Sequence, residues 1–202
     1  MSVDAATVKK LRDRTGIGMM DCKRALEEAG GDMEKAVEVL RKKGIADAEK
    51  RTGRTATEGY VGSYVHSNGK IGVLVELNCE TDFVARNDEF RELARNLSMQ
   101  VAATNPLSVR REEIPEEAVE KERAIYAEMA KDQGKPDDII DRIVDGKMKK
   151  FYQENCLLEQ QYVKDTDLTV EQLVKEFSGK IGERVTVKRF ARFAVGEGED
   201  EE

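Results

Sequence analysis

The chain has 202 residues, which suits one large domain or two small ones, and its 39% hydrophobic and 37% charged residues allow a packed core beneath a heavily solvated surface. Its formal net charge of −7 lacks the basic excess that nucleic-acid binders concentrate; five acids and no base fall in the last seven residues, "GEGEDEE", so the rest is near neutral. Cys22, Cys79 and Cys156 are far apart and His66 is the only histidine, which argues against a Cys/His metal site and a disulfide framework.

Taken in chain order, residues 1–45 read as three short helices. Val8 and Leu11 share a face of the first, and "TGIG" interrupts the chain before the second. Met19, Cys22, Leu26 and Ala29, spaced by three and four, mark the buried stripe of the second helix. Gly30-Gly31 ends it, Asp32 can cap the third, and Met33, Ala36, Val37 and Leu40 repeat the pattern until Gly44 stops it. Residues 46–57, small and charged, read as a linker. Two β-like runs follow around Asn68-Gly69, a strong hairpin signal, with Ile71, Val73, Val75 and Leu77 alternating on one buried face.

After the connection "NCETDFVARND", Phe90, Leu93, Leu97 and Val101 define an amphipathic helix that stops before Pro106. Two helices over about 116–155, joined at Gly134-Lys135-Pro136, are expected to form a projecting antiparallel hairpin with one wet helix. Thr169 and Gln172 form a capping-box pattern for a last helix that Gly179 ends. "RVTVKRFARFAV" is a strand whose phase slips at Arg189-Phe190, which suggests a bulge or a strand exposed along part of its length. The order implies an α+β body: a three-helix bundle, then a small antiparallel sheet (58–78 plus 184–195) covered by helices within a core of residues 58–195, and a solvated acidic tail at 196–202. With no leader and no run of ~18 apolar residues, a cytoplasmic protein with free thiols is expected.

"LRDRTGIGMMDCKRALEEAGGDMEKAVEVLRKKG" (11–44), "NCETDFVARND" (78–88), "FYQENCLLEQQYVKD" and "RFARFAVGEG" together resemble the bacterial elongation factor Ts family, in family order and over nearly the whole chain. The resemblance implies a guanine-nucleotide exchange factor for elongation factor Tu in translation, with a head like a ubiquitin-associated bundle. It implies no cofactor, no direct nucleic-acid contact and no membrane. Longer members carry two copies of the core subdomain; this chain holds one hairpin-plus-final-strand set and is similar to the short form, for which a homodimer would supply the missing half.

Local rules alone make Phe83 a core plug, with Thr81 or Asp82 capping the next helix. The family resemblance instead implies that Thr81, Asp82, Phe83 and Val84 dislodge Mg²⁺ from the partner: Phe83 as the inserted ring, Asp82 as its polar companion, Thr81 and Val84 holding the corner. It also assigns Leu11, Arg12, Met19, Met20 and Lys23 to the surface facing the GTPase. Leu11 and Met19 fall on the buried stripes and read as core, which leaves Met20 and Lys23 as the better contact candidates. Two other classes compete. One is an adaptor whose head binds partners without exchange. The other is a thiol enzyme using Cys22, Cys79 or Cys156, which lacks an evident base and orienting group. No Gly-rich phosphate cradle is present, so the chain is not expected to bind the nucleotide itself.

Overall fold

The computed structural model describes residues 3–197, apart from the side chains of Asp137 and Asp138; most of the acidic tail, residues 198–202, lies outside. The fold is α+β. Its head consists of α1 (Ala5–Thr15), α2 (Met19–Glu28) and α3 (Met33–Glu49) around Val8, Leu11, Cys22, Ala25, Leu26, Ala36 and Leu40. Asp32 caps α3 by accepting from Glu34 and Lys35 N–H, as its position before the apolar period requires.

Next come β1 (Glu58–Val65), β2 (Ile71–Cys79), the single turn α4 (Asp82–Ala85) and α5 (Asp88–Thr104). The projecting hairpin, α6 (Glu116–Asp132) and α7 (Asp137–Asn155), follows, then a short ribbon of β3 (Gln161–Tyr162) and β4 (Asp165–Thr169). The chain closes with α8 (Val170–Ile181) and β5 (Thr186–Ala194). The returning strand joins the early hairpin in the order β1-β2-β5, all antiparallel. Helices α5 and α8 cover the face bearing Val73, Val75, Leu77 and Cys79, and form the main core with Phe90, Leu93, Leu97, Val101, Val170 and Val174. The α6–α7 pair keeps a separate core of Ile140, Val144, Met148 and Phe151, and only Ala130 of α6 is buried.

Residues directly opposed in neighbouring strands point to the same side. Val61 faces Glu76, Leu74 faces Ala191, and Val65 and Phe193 both face Gly72, so these side chains share the other face of the sheet. Val61, Val65, Leu74 and Phe193 are all exposed there.

Several sequence expectations need amending. Gly44 and Gly179 do not stop their helices: α3 runs on to Glu49, so residues 46–49 are helix rather than linker, and α8 runs to Ile181 with Gly182 as its left-handed cap. The two glycines mark the crossing of α3 and α8. A Cβ on Gly179 would lie 2.4 Å from the Gly44 Cα, an approach only a residue without a side chain allows. The final strand does bulge, but at Lys188: Leu77 faces Val187 while Glu76 faces Arg189, leaving Lys188 as the extra residue. The β3–β4 ribbon had no counterpart in the sequence reading.

Candidate functional site

The corner between β2 and α5 is built from four consecutive roles. Cys79 ends the buried alternation of β2, and its thiol donates to the Thr81 carbonyl at 3.2 Å. Thr81 is extended and caps α4, its hydroxyl accepting from Val84 N–H at 3.4 Å. Val84 and Ala85 turn inward and are buried in the main core. Asp82 and Phe83 are therefore left on the outer side of the turn. Asp82 is exposed and pairs with Arg86 at 2.9 Å, and Phe83 is 81% exposed, the most exposed of the large apolar side chains among the described residues. The plug reading of Phe83 is overturned, because a one-turn helix has room to bury a single pair of side chains and Val84 and Ala85 take that place.

A carboxylate from elsewhere in the chain holds this corner, and the corner holds it in return. Glu183, in the connection after α8, accepts from the N–H groups of Glu80 and Thr81, both at 3.1 Å, and from the Thr81 hydroxyl at 2.7 Å. Glu80 reciprocates by accepting from the Arg184 N–H at 2.6 Å and pairing with Arg54 at 3.3 Å. The Arg184 amide and then the Arg54 guanidinium hold the Glu80 carboxyl below its ordinary range.

On the head, Leu11 is fully buried as its stripe requires, whereas Met19 is 42% and Met20 65% exposed. Met19 departs from the core reading because it is the first residue of α2; the buried stripe begins one turn later at Cys22. Met19, Met20 and Lys23 lie within one turn on the exposed start of α2, and Arg12 is exposed near the end of α1. Among the described residues, Lys23 pairs only with Glu27, loosely, at 3.8 Å.

The C-terminal end of α8 adjoins both the turn between α1 and α2 and the corner that carries Phe83. Lys180 lies against Gly16 of the "TGIG" turn, so close that a Cβ there would meet its Cε at 2.5 Å, and it pairs with Glu89 at the start of α5 at 2.8 Å. Glu183, three residues on, holds Thr81. Helix α8 also packs on α3 through the Arg41–Glu176 ion pair beside the glycine crossing. One helix thus ties the head turn to the Phe83 corner. Sequence reasoning missed Glu183, Glu80 and Lys180, whose partners lie far along the chain.

The thiols occupy packed sites. All three are buried, and burial, with the Glu183 carboxylate adding to it, pushes the Cys79 thiol up to about 11. Burial likewise raises Cys156, which rests against the Ser108 hydroxyl. His66 is exposed and sits 3.0 Å from the Tyr64 hydroxyl. Among the described residues, no helix is long and apolar enough to cross a membrane.

The profile of the Elongation factor TS family matches residues 45–197. Proteins named Elongation factor Ts are similar along almost their whole lengths. That of Moorella thermoacetica is 57% identical over 196 residues, covering 97% of each chain. That of Thermosipho melanesiensis is 57% identical over 195 residues, covering 96% of this chain and all of its own. That of Geobacter sulfurreducens is 57% identical over 198 residues, covering 98% of this chain and 92% of its own. On this agreement the chain belongs to the elongation factor Ts family and is a translation elongation factor.

Proposed function

We propose that the protein is a guanine-nucleotide exchange factor that binds elongation factor Tu in its GDP form, unseats the partner's Mg²⁺ and so promotes GDP release. The observation that carries this reading is Phe83, a ring 81% exposed on a corner whose backbone is pinned from behind. A folded chain gains nothing for its own stability by holding an aromatic ring in water, whereas a partner with a complementary cleft can bury it.

The chemistry asked of such a factor needs no nucleophile or general base. A GTPase holds its nucleotide through a phosphate cradle and Mg²⁺. A factor that binds the nucleotide-free state more tightly than the loaded one weakens nucleotide binding by the same ratio. Each tenfold loosening takes about 1.4 kcal/mol of differential contact. Burying one aromatic ring contributes roughly 1.5–3 kcal/mol, so Phe83 is of the size to begin the release and other contacts must share in it. Met19, Met20, Lys23 and Arg12 are the residues we assign to that wider contact, with the head held on α8 at a fixed place relative to the corner. Asp82 is the charge that enters beside the ring, and Thr81 and Val84 keep the turn closed.

The test is stimulated release of labelled GDP from elongation factor Tu. Phe83→Ala is expected to slow it strongly while the melting midpoint stays put. Normal exchange together with a multi-degree melting loss would return Phe83 to a structural role. Failure of the unaltered protein to stimulate release at all would favour an adaptor without exchange activity.

We further infer that the uncovered sheet face is closed by a second copy of the chain. Val61, Val65, Leu74 and Phe193 form an exposed apolar patch, and two such sheets packed face to face would bury them together. The protein is expected to sediment as a dimer, and Leu74→Glu as a monomer. A wild-type monomer ends this inference and leaves the exchange reading intact.

A further inference from the structure

We infer that Glu183 is a positioning residue for exchange: its carboxylate sets the Thr81 cap, and through it the direction in which Phe83 points. This rests on the reading of Phe83 as the inserted ring and names what aims it.

The geometry runs in one line. One carboxylate oxygen of Glu183 takes the two consecutive N–H groups of Glu80 and Thr81, the last of the β2 exit. The other oxygen takes the proton of the Thr81 hydroxyl at 2.7 Å. An ionised carboxylate only accepts, so the hydroxyl must donate to it, and its lone pairs are left for the Val84 N–H at 3.4 Å. That contact starts the single turn on which Phe83 sits. A turn of four residues has little stability of its own, so its orientation depends on how its first residue is held.

Glu183 is itself well supported. Gly182 closes α8 in the left-handed region at φ 80°, and the Glu183 carbonyl accepts from the Ser178 hydroxyl. The carboxylate is thus carried on the end of the same helix that braces the head turn through Lys180. The contribution is geometric rather than a matter of charge alone. A glutamine here can offer its carbonyl oxygen to the two N–H groups and its amide to the Thr81 oxygen, which keeps the corner closed.

Three variants test the inference in the GDP-release assay. Glu183→Ala is expected to slow release about tenfold, the loss of roughly one charge-assisted hydrogen bond's worth of positioning. Glu183→Gln is expected to stay within about twofold of the wild type, because each contact can be remade, the one to Thr81 with its direction reversed. In a Phe83→Ala background, Glu183→Ala is expected to add almost nothing, since residues that act through one another are not additive. Amide exchange of Glu80 and Thr81 in the isolated protein should quicken in Glu183→Ala, which reads the clamp without the partner.

Wild-type release by Glu183→Ala, or a loss that multiplies in full with that of Phe83→Ala, overturns the positioning role. So does a glutamine variant as impaired as the alanine one. Phe83→Ala releasing at the wild-type rate instead defeats the wedge reading itself, so the two failures are told apart. If Glu183→Ala folds poorly, Glu183→Asp, whose carboxylate falls one methylene short of the corner, takes its place in the same assays: slowed release and faster Glu80 and Thr81 amide exchange are expected, and wild-type values for both overturn the role.

Discussion

Phe83 and Phe90 are seven residues apart on consecutive helices, yet one is 81% exposed and the other fully buried. Phe90 begins the apolar face of α5, continued by Leu93, Leu97 and Val101, and its ring tilts against Phe177 of α8 at a centroid distance of 6.2 Å. Phe83 stands on α4, a single turn whose buried pair is Val84 and Ala85. Over four turns, the helical period decides which side chains go inward. Over one turn there is no period to read, and the direction of each side chain follows from what anchors the turn. The two rings thus separate a residue placed by packing from one placed by polar clamps at a distance.

The largest effect should fall on the packed ring. Phe90→Ala is expected to cost about 3–5 kcal/mol of stability in denaturant titration, through lost burial and the cavity left behind. Release of GDP per folded molecule should remain near normal at low temperature. A loss below about 1 kcal/mol would mean that the core closes over the gap and would break the contrast with Phe83.

The crossing of α3 and α8 comes next. Gly179→Ala forces a Cβ to within 2.4 Å of the Gly44 backbone and is expected to destabilise by about 1–3 kcal/mol, the usual cost of overpacking. Gly44→Ala meets its nearest atoms at 3.8 Å, an ordinary contact, and gains up to about 1 kcal/mol of helix propensity. Melting curves of the two variants should shift in opposite directions. Because the crossing fixes the head on α8, Gly179→Ala should also slow exchange, although neither glycine touches the partner in this reading.

These glycines show where sequence reading reached its limit. The alternation of β2, the stripe of α5, the capping box at Thr169 and the wet helix of the α6–α7 pair were all legible, because each is a local pattern repeated over several residues. A glycine that ends a helix and a glycine that lets two helices touch look the same in one dimension, so the local pattern makes stops of Gly44 and Gly179. The Thr81–Glu183 clamp joins residues 102 apart, and no pattern within a window of the sequence points to it. The exposure of Phe83 agrees with the family resemblance and runs against the local rule that sends apolar residues inward. Met19 is exposed although it falls on the stripe, because a stripe extended to the first residue of a helix overshoots the core. The broken alternation signals the strand bulge but not its position: the slip shows at Arg189-Phe190, while the extra residue is Lys188.

Thr81→Ala lies between the two rings in expected effect. It removes a helix cap, a change worth about 1 kcal/mol, from a turn that has few other supports. The midpoint should fall modestly, and the Val84 amide should exchange faster than in the wild type. An unchanged Val84 amide would show that the backbone contacts of Glu183 hold the turn without the hydroxyl.

The smallest effect on stability is expected where the largest effect on exchange is. Phe83→Ala removes a ring that is four-fifths in water and lies outside all three hydrophobic clusters, so its change in unfolding free energy should lie within about 0.5 kcal/mol. The inward anchors Val84 and Ala85, the Thr81 cap and the Glu183 clamp are all untouched by it, so the backbone path of the corner should persist. Near-UV and amide-exchange signatures of the variant should therefore match the wild type except at the substituted turn. The pair of phenylalanines then gives a double dissociation: one substitution lowers stability and spares the rate per folded molecule, the other spares stability and lowers the rate. A stability loss in Phe83→Ala approaching that of Phe90→Ala would place the ring inside a contact in the free protein, and the distinction between a packed residue and a presented one would no longer hold at this corner.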